Sequence, residues 1–119
     1  MNRLIYIGCI ALLSVSSAVA QEFKKMDSQY MLYSGSLGDP VKPTKKDTKI
    51  SIEISNQAAE DIFNQLGSDL KDVCLQDPGS RYRMKSDGSI ACTYTQQDGY
   101  ICYIGIDLKK GKLIPGSIC

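Results

Sequence analysis

The stretch RYRMKSDGSIACTYTQQDGYICYIGIDL, residues 81–108, decides how this chain reads. It holds three runs of β-favouring residues separated by two turns, and each turn contains an Asp-Gly pair: Asp87-Gly88 and Asp98-Gly99. Asp-Gly readily supplies the positive-φ backbone of a tight hairpin, so an antiparallel meander is predicted. Its strands are Arg81 to Lys85, Ile90 to Thr95 and Tyr100 to Leu108. In the last of these, Cys102, Ile104, Ile106 and Leu108 fall on one face. The Lys109-Lys110-Gly111-Lys112 segment turns the chain again. Leu113-Ile114 then gives a short edge strand before Pro115-Gly116.

Upstream, Thr48 to Ile54 alternates apolar and polar residues, the pattern of a half-buried strand. A helix follows, with Ser55 or Asn56 as its cap. Ala58, Ala59, Ile62, Phe63 and Leu66 share its apolar face, and Gly67 ends it. Leu70, Val73 and Cys74 suggest a further short helical turn. Gln29 to Tyr33 could form a first strand, while Ser34 to Asp47 reads as a polar surface loop. The fold class expected is α+β. One main helix packs on an antiparallel meander of about four strands, giving a small disulfide-stapled two-layer sandwich.

The first twenty residues read as an export leader. Arg3 supplies a positive charge, Leu4 to Val15 is apolar, and Ala18-Val19-Ala20 offers a small-x-small cleavage site. The apolar core is too short for a spanning helix, which needs about 20 residues. The organisation expected is thus a cleaved signal over 1–20, an N-terminal arm with a possible strand and loop over 21–47, and a core over 48–119. The compartment expected is periplasmic or secreted, with no stable membrane insertion after cleavage.

An oxidising compartment makes disulfides the default for the remaining cysteines, Cys74, Cys92, Cys102 and Cys119. Three pairings are open, and spacing does not choose among them. The pairing favoured here is Cys74–Cys92 with Cys102–Cys119, which would pin a helix end to the sheet and tie down the chain terminus. No CxxC pair is present, which weighs against a zinc site.

Arg3 is the one charged residue of the leader, so 14 basic and 13 acidic side chains become an even balance once it is removed. Nucleic-acid binders normally carry a basic excess, and none is expected as a partner. Histidine is absent from the 119 residues. That removes the usual general base, the usual nucleophile partner and the commonest metal ligand. No phosphate-binding glycine loop, nucleophile elbow or cofactor motif appears. Carboxylates could still act in pairs, with Glu53, Asp87, Asp98 and Asp107 as candidates. Asp87 and Asp98 sit in turns, where Asp serves conformation.

What remains is surface. Tyr82, Tyr94, Tyr100 and Tyr103 cluster in the meander beside Arg81 and Arg83. Tyr and Arg are enriched at binding hot spots, so Arg81, Tyr82, Arg83 and Tyr100 are the candidate binding residues. The function expected is non-catalytic: a small exported protein that binds another protein and inhibits or neutralises it, such as a cell-wall hydrolase or an effector. The alternatives are a histidine-free carboxylate hydrolase and an envelope accessory domain with no discrete site.

Overall fold

A computed structural model describes Gly8 and residues 10–14, 21–71, 74, 77–85 and 87–118. Most of residues 1–20, read above as a leader, together with Val73 and Cys119 of the expected helical turn and disulfide, lie outside the described residues. Among those described, the elements are β1 (Asp27–Ser36), β2 (Asp39–Val41), β3 (Lys49–Ser55), α1 (Asn56–Gln65), β4 (Arg81–Met84), β5 (Ile90–Thr95), β6 (Gly99–Asp107) and β7 (Lys112–Ile114). The strands form one antiparallel sheet in the order β2-β1-β3-β6-β5-β4, with β7 also paired to β6.

This corrects the expected α+β sandwich. The described residues form a mostly antiparallel seven-stranded sheet carrying one ten-residue helix. The helix lies mainly against β3, β5 and β6, so it does not make a second layer over the whole sheet. Six of the seven strands fall on runs read as strands, while β2 and the C-terminal end of β1 come from a segment whose composition hides them. Ser34 to Ser36 are poor strand formers, yet they extend β1 and pair with β2 across a Leu37-Gly38 turn. Asp47 holds this end in place. Its carboxylate accepts the Ser34 hydroxyl and the Gly35 amide, both at 2.8 Å. Lys49 donates to the Gly35 carbonyl at 2.9 Å. Polar residues read as a loop are thereby locked into a strand by tertiary partners. Between Gly67 and Lys71 no helical turn forms.

The two faces of the sheet are built differently. On one, Ile54, Cys92 and Cys102 line up across neighbouring strands, and α1 lays Ala59 and Phe63 onto them. All five residues are essentially inaccessible to water. On the other face the C-terminal tail crosses β6. A side chain at Gly105 would strike the Pro115 main chain at 2.7 Å, and one at Gly116 would strike the Ile104 main chain at 2.6 Å. Only two glycines allow the backbones to approach this closely. The Ser51 hydroxyl secures the tail by donating to the buried Gly116 carbonyl at 2.6 Å.

The disulfide pairing differs from the one expected. Cys92 bonds to Cys102, with Cα atoms 4.0 Å apart, and Cys74 is itself disulfide-bonded. The reason lies in the turn. Gly99 adopts a φ of +68° and pairs with Thr95, so the loop holds three residues. That register sets Cys92 directly opposite Cys102. A four-residue loop over Gln96 to Gly99 would instead shift the strands by one residue and send the two sulfurs to opposite faces.

Two outcomes are expected. Peptide mapping of the oxidised protein should recover a Cys92–Cys102 bridge. Replacing both Cys92 and Cys102 by alanine should cost about 3 kcal/mol in denaturant unfolding, the chain-entropy value for a loop of about ten residues. Separately, Gly116→Ala should lift the tail and speed tryptic cleavage after Lys112, read after reduction. Gly67→Ala should leave that rate unchanged, because no heavy atom lies within 4 Å of a side chain there.

Candidate functional site

Three of the four candidate binding residues converge around one ring. Strand alternation turns Arg81 and Arg83 toward the helix face, where their guanidinium groups sit 5.0 Å and 4.3 Å from the centre of the Phe63 ring. Tyr100 meets the same ring in an edge-to-face arrangement with centroids 5.1 Å apart, and Tyr94 lies tilted against Tyr100 at 4.8 Å. Tyr82 points the other way and is buried on the opposite face.

Asp69, which no motif in the sequence marks, joins the two arginines. Its carboxylate accepts from Arg81 Nε at 2.8 Å, Arg81 Nη2 at 3.2 Å and Arg83 Nε at 2.7 Å. Arg83 Nη1 also donates to the Phe63 carbonyl at 3.1 Å, near the helix C-terminus, where a cation is favoured. Beside them, the Leu70 amide donates to the Tyr82 carbonyl at 2.8 Å. The guanidinium groups are therefore engaged within the molecule. Arg83 caps α1, and the two together cover Phe63 and stitch the chain after the helix to β4.

The acidic candidates hold turns. Asp107 Oδ1 accepts the Lys109 and Lys110 amides, each at 3.0 Å. Asp87 Oδ1 accepts the Ser89 hydroxyl at 2.6 Å and its amide at 2.9 Å, which holds the Asp87 pKa below the usual carboxylate value. In the second hairpin the Asp98 amide donates to Thr95 Oγ1 at 3.0 Å.

Glu53 is different, because it opens onto a groove. The groove lies on the tail face, with a volume of about 440 Å³. Ser51 and Glu53 of β3, Tyr103 of β6, and Gln29 and Met31 of β1 form its floor, while Leu37 and the tail residues Gly116 to Ile118 form its walls. Gln29 Nε2 donates to Glu53 Oε1 at 2.9 Å. The Tyr103 hydroxyl is pushed up from its ordinary pKa, first by burial and then by the adjoining Glu53 carboxylate. No lysine or arginine lines the groove, so its one full charge is negative. It runs on into a polar depression of about 310 Å³ that adds Asp27. Such a site suits a cationic group whose stem can lie against Met31, Leu37 and Ile118.

Among the described residues no cluster of His, Cys, Asp and Glu could hold a metal ion, and no helix is long and apolar enough to cross a membrane. Comparison with protein-family models, curated proteins and solved structures finds no match to this chain.

Sequence reading singled out the arginines but missed Asp69 and the groove. The groove depends on the tail crossing the sheet, and its one local sign is the glycine pair Gly105 and Gly116.

The clamp has a pH signature. Hydrogen bonds from Arg81 and then Arg83 hold Asp69 at about 2, below its ordinary 3.8. A carboxylate lowered on folding contributes stability above its unfolded value and loses it as pH falls through the folded value. Wild-type protein should therefore lose a stabilising contribution between about pH 4 and pH 2 that Asp69→Asn lacks, measured by thermal unfolding. Some acid dependence should survive in that variant. Asp47 is also held well below the usual range, chiefly by the Gly35 amide, then by Lys49 and Ser34. At neutral pH, Arg83→Ala should lower Tm more than Arg81→Ala. The Arg83 side chain is 17% exposed against 39% for Arg81, and it alone holds the helix end.

Proposed function

We propose that this protein is a non-catalytic, exported binding module that inhibits or neutralises another protein, such as a cell-wall hydrolase or an effector. The leader-like N-terminus and the disulfide at Cys92–Cys102 support a periplasmic or secreted location. The observation that carries the binding role is the groove. It joins an acidic floor to an apolar wall on a face that the helix leaves open.

On this reading the partner surface lies at Glu53, Tyr103 and Gln29 rather than at Arg81 and Arg83, several of whose donors are engaged within the fold. A basic side chain of the partner enters the groove, its charge meeting Glu53 and its methylenes meeting Met31 and Ile118. Charge-assisted contacts in a partly water-excluded groove give both affinity and orientation. Blocking a hydrolase needs only that the docked module cover its substrate cleft.

The test is a peptidoglycan-turnover assay with purified muramidases and amidases. Wild-type protein should slow one of them, and Glu53→Lys should weaken that effect at least about tenfold, the loss expected when a like charge replaces an ion-pairing one. Arg81→Ala should keep the effect at temperatures below its own Tm. Absence of inhibition by the wild-type protein, together with no partner retained on it from extract of its compartment, would overturn the proposal.

A further inference from the structure

Strand β1 has an open edge. Its inner edge pairs with β3 from Asp27 to Tyr33, while β2 covers the outer edge only from Ser34 to Ser36. Among the described residues, nothing pairs with the outer edge between Asp27 and Tyr33.

The direction of each peptide group follows from the ladder. Gly35 spends its amide on Asp47 and its carbonyl on Lys49, both on the β3 side. Main-chain groups alternate along an antiparallel strand. Gln29, Met31 and Tyr33 therefore point toward β3, and Ser28, Tyr30 and Leu32 aim their N–H and C=O groups outward.

Sheet edges are normally guarded by charge, proline or cover. From Ser28 to Ser36 this strand contains no charged residue and no proline. The other edges are short or closed. β4 has four residues, and its Tyr82 carbonyl already accepts the Leu70 amide. β2 and β7 have three residues each, with Pro40 inside one and Pro115 after the other.

We propose that two copies of this chain form a two-fold dimer by antiparallel pairing of their β1 edges, centred on Tyr30. The open stretch from Asp27 to Tyr33 has Tyr30 at its midpoint, and Tyr30 is one of the outward residues. In this register Tyr30 faces its own counterpart and Ser28 faces Leu32, giving about six main-chain hydrogen bonds. Sliding the pairing toward the C-terminus would drive the second copy into Val41, which already opposes Ser34.

Charge and burial favour a second copy as the occupant. No like charges meet across the axis. Tyr30 and Leu32 are 70% and 43% exposed on the helix side, beside Ile50 and Ile52, and Met31 is 39% exposed on the other. Self-pairing covers all three. A single open edge also closes the assembly, because isologous pairing consumes both edges, whereas two open edges would propagate a fibre. This inference does not rest on the groove, and Leu32 lies on the face away from it.

Sedimentation velocity of the oxidised, exported protein across a concentration range should show a dimer that dissociates on dilution. Backbone amide exchange should show Ser28, Tyr30 and Leu32 protected in the dimer and fast in the monomer, with Gln29 and Met31 protected in both. Tyr30→Lys places two ammonium groups opposite each other and should give only monomer. Leu32→Pro removes one outward N–H and spares the β1–β3 ladder, so it should also give monomer with native near-UV dichroism. Leu113→Lys, on a different strand, should remain dimeric. A wild-type monomer at all concentrations, or a dimer that survives both β1 variants, would overturn the proposal. Protection of the outward amides only on adding a foreign protein would assign the edge to that protein instead and equally overturn self-pairing.

Discussion

Cys92 and Cys102 face each other across β5 and β6, and the rest of the helix face is assembled on that bridge. The row runs through four strands: Ile54 opposes Cys102, and Arg83 opposes Cys92 on the far side. The helix settles on this row, with the Ala59 carbonyl 3.2 Å from Cys102 Sγ and Phe63 packed beside it. At the end of the row Arg83 reaches up to Phe63 and Asp69, so the element that closes the sheet also closes the helix. A domain this small buries a modest fraction of its surface, and a covalent tie within the core row compensates for a thin apolar interior.

The opposite face follows a different logic. There the sheet is covered by a tail, not a helix, and the contact is backbone against backbone at Gly105 and Gly116. Close approach leaves no room for side chains between tail and sheet, yet the tail is too narrow to cover β1 and β3. The uncovered strip becomes the groove, and the residues that strand alternation sends into it are Gln29, Ser51, Glu53 and Tyr103. The two faces are thereby held by different means. Arginines and the disulfide hold the helix face, and the carboxylate with a free approach lies on the tail face.

Much of the secondary structure was legible in the sequence. The two Asp-Gly turns marked the hairpins, the alternation of Ile50, Ile52 and Ile54 marked β3, and the spacing of Ala59, Ile62, Phe63 and Leu66 marked α1. What escaped was whatever needed a distant partner. Ser34 to Ser36 have no strand propensity of their own and become strand because Asp47 and Lys49 bind Gly35. The sulfur pairing escaped because it turns on a loop of three residues rather than four, a difference that composition does not express. The arginines were noticed as exposed recognition groups, but Asp69 sits twelve residues before Arg81, and nothing local ties them.

The sequence by itself determined the local elements: where hairpins turn, which residues alternate, and which helical face is apolar. Those depend on backbone preference and on periodicity within a few residues. Only the tertiary structure decided which cysteines meet, which arginine donors are already engaged, and where a carboxylate is left facing an open groove. Each of these is a matter of register and of long-range approach. A shift of one residue along a strand, or one methyl group at Gly116, would reassign a side chain from one face to the other or lift the wall that makes the groove.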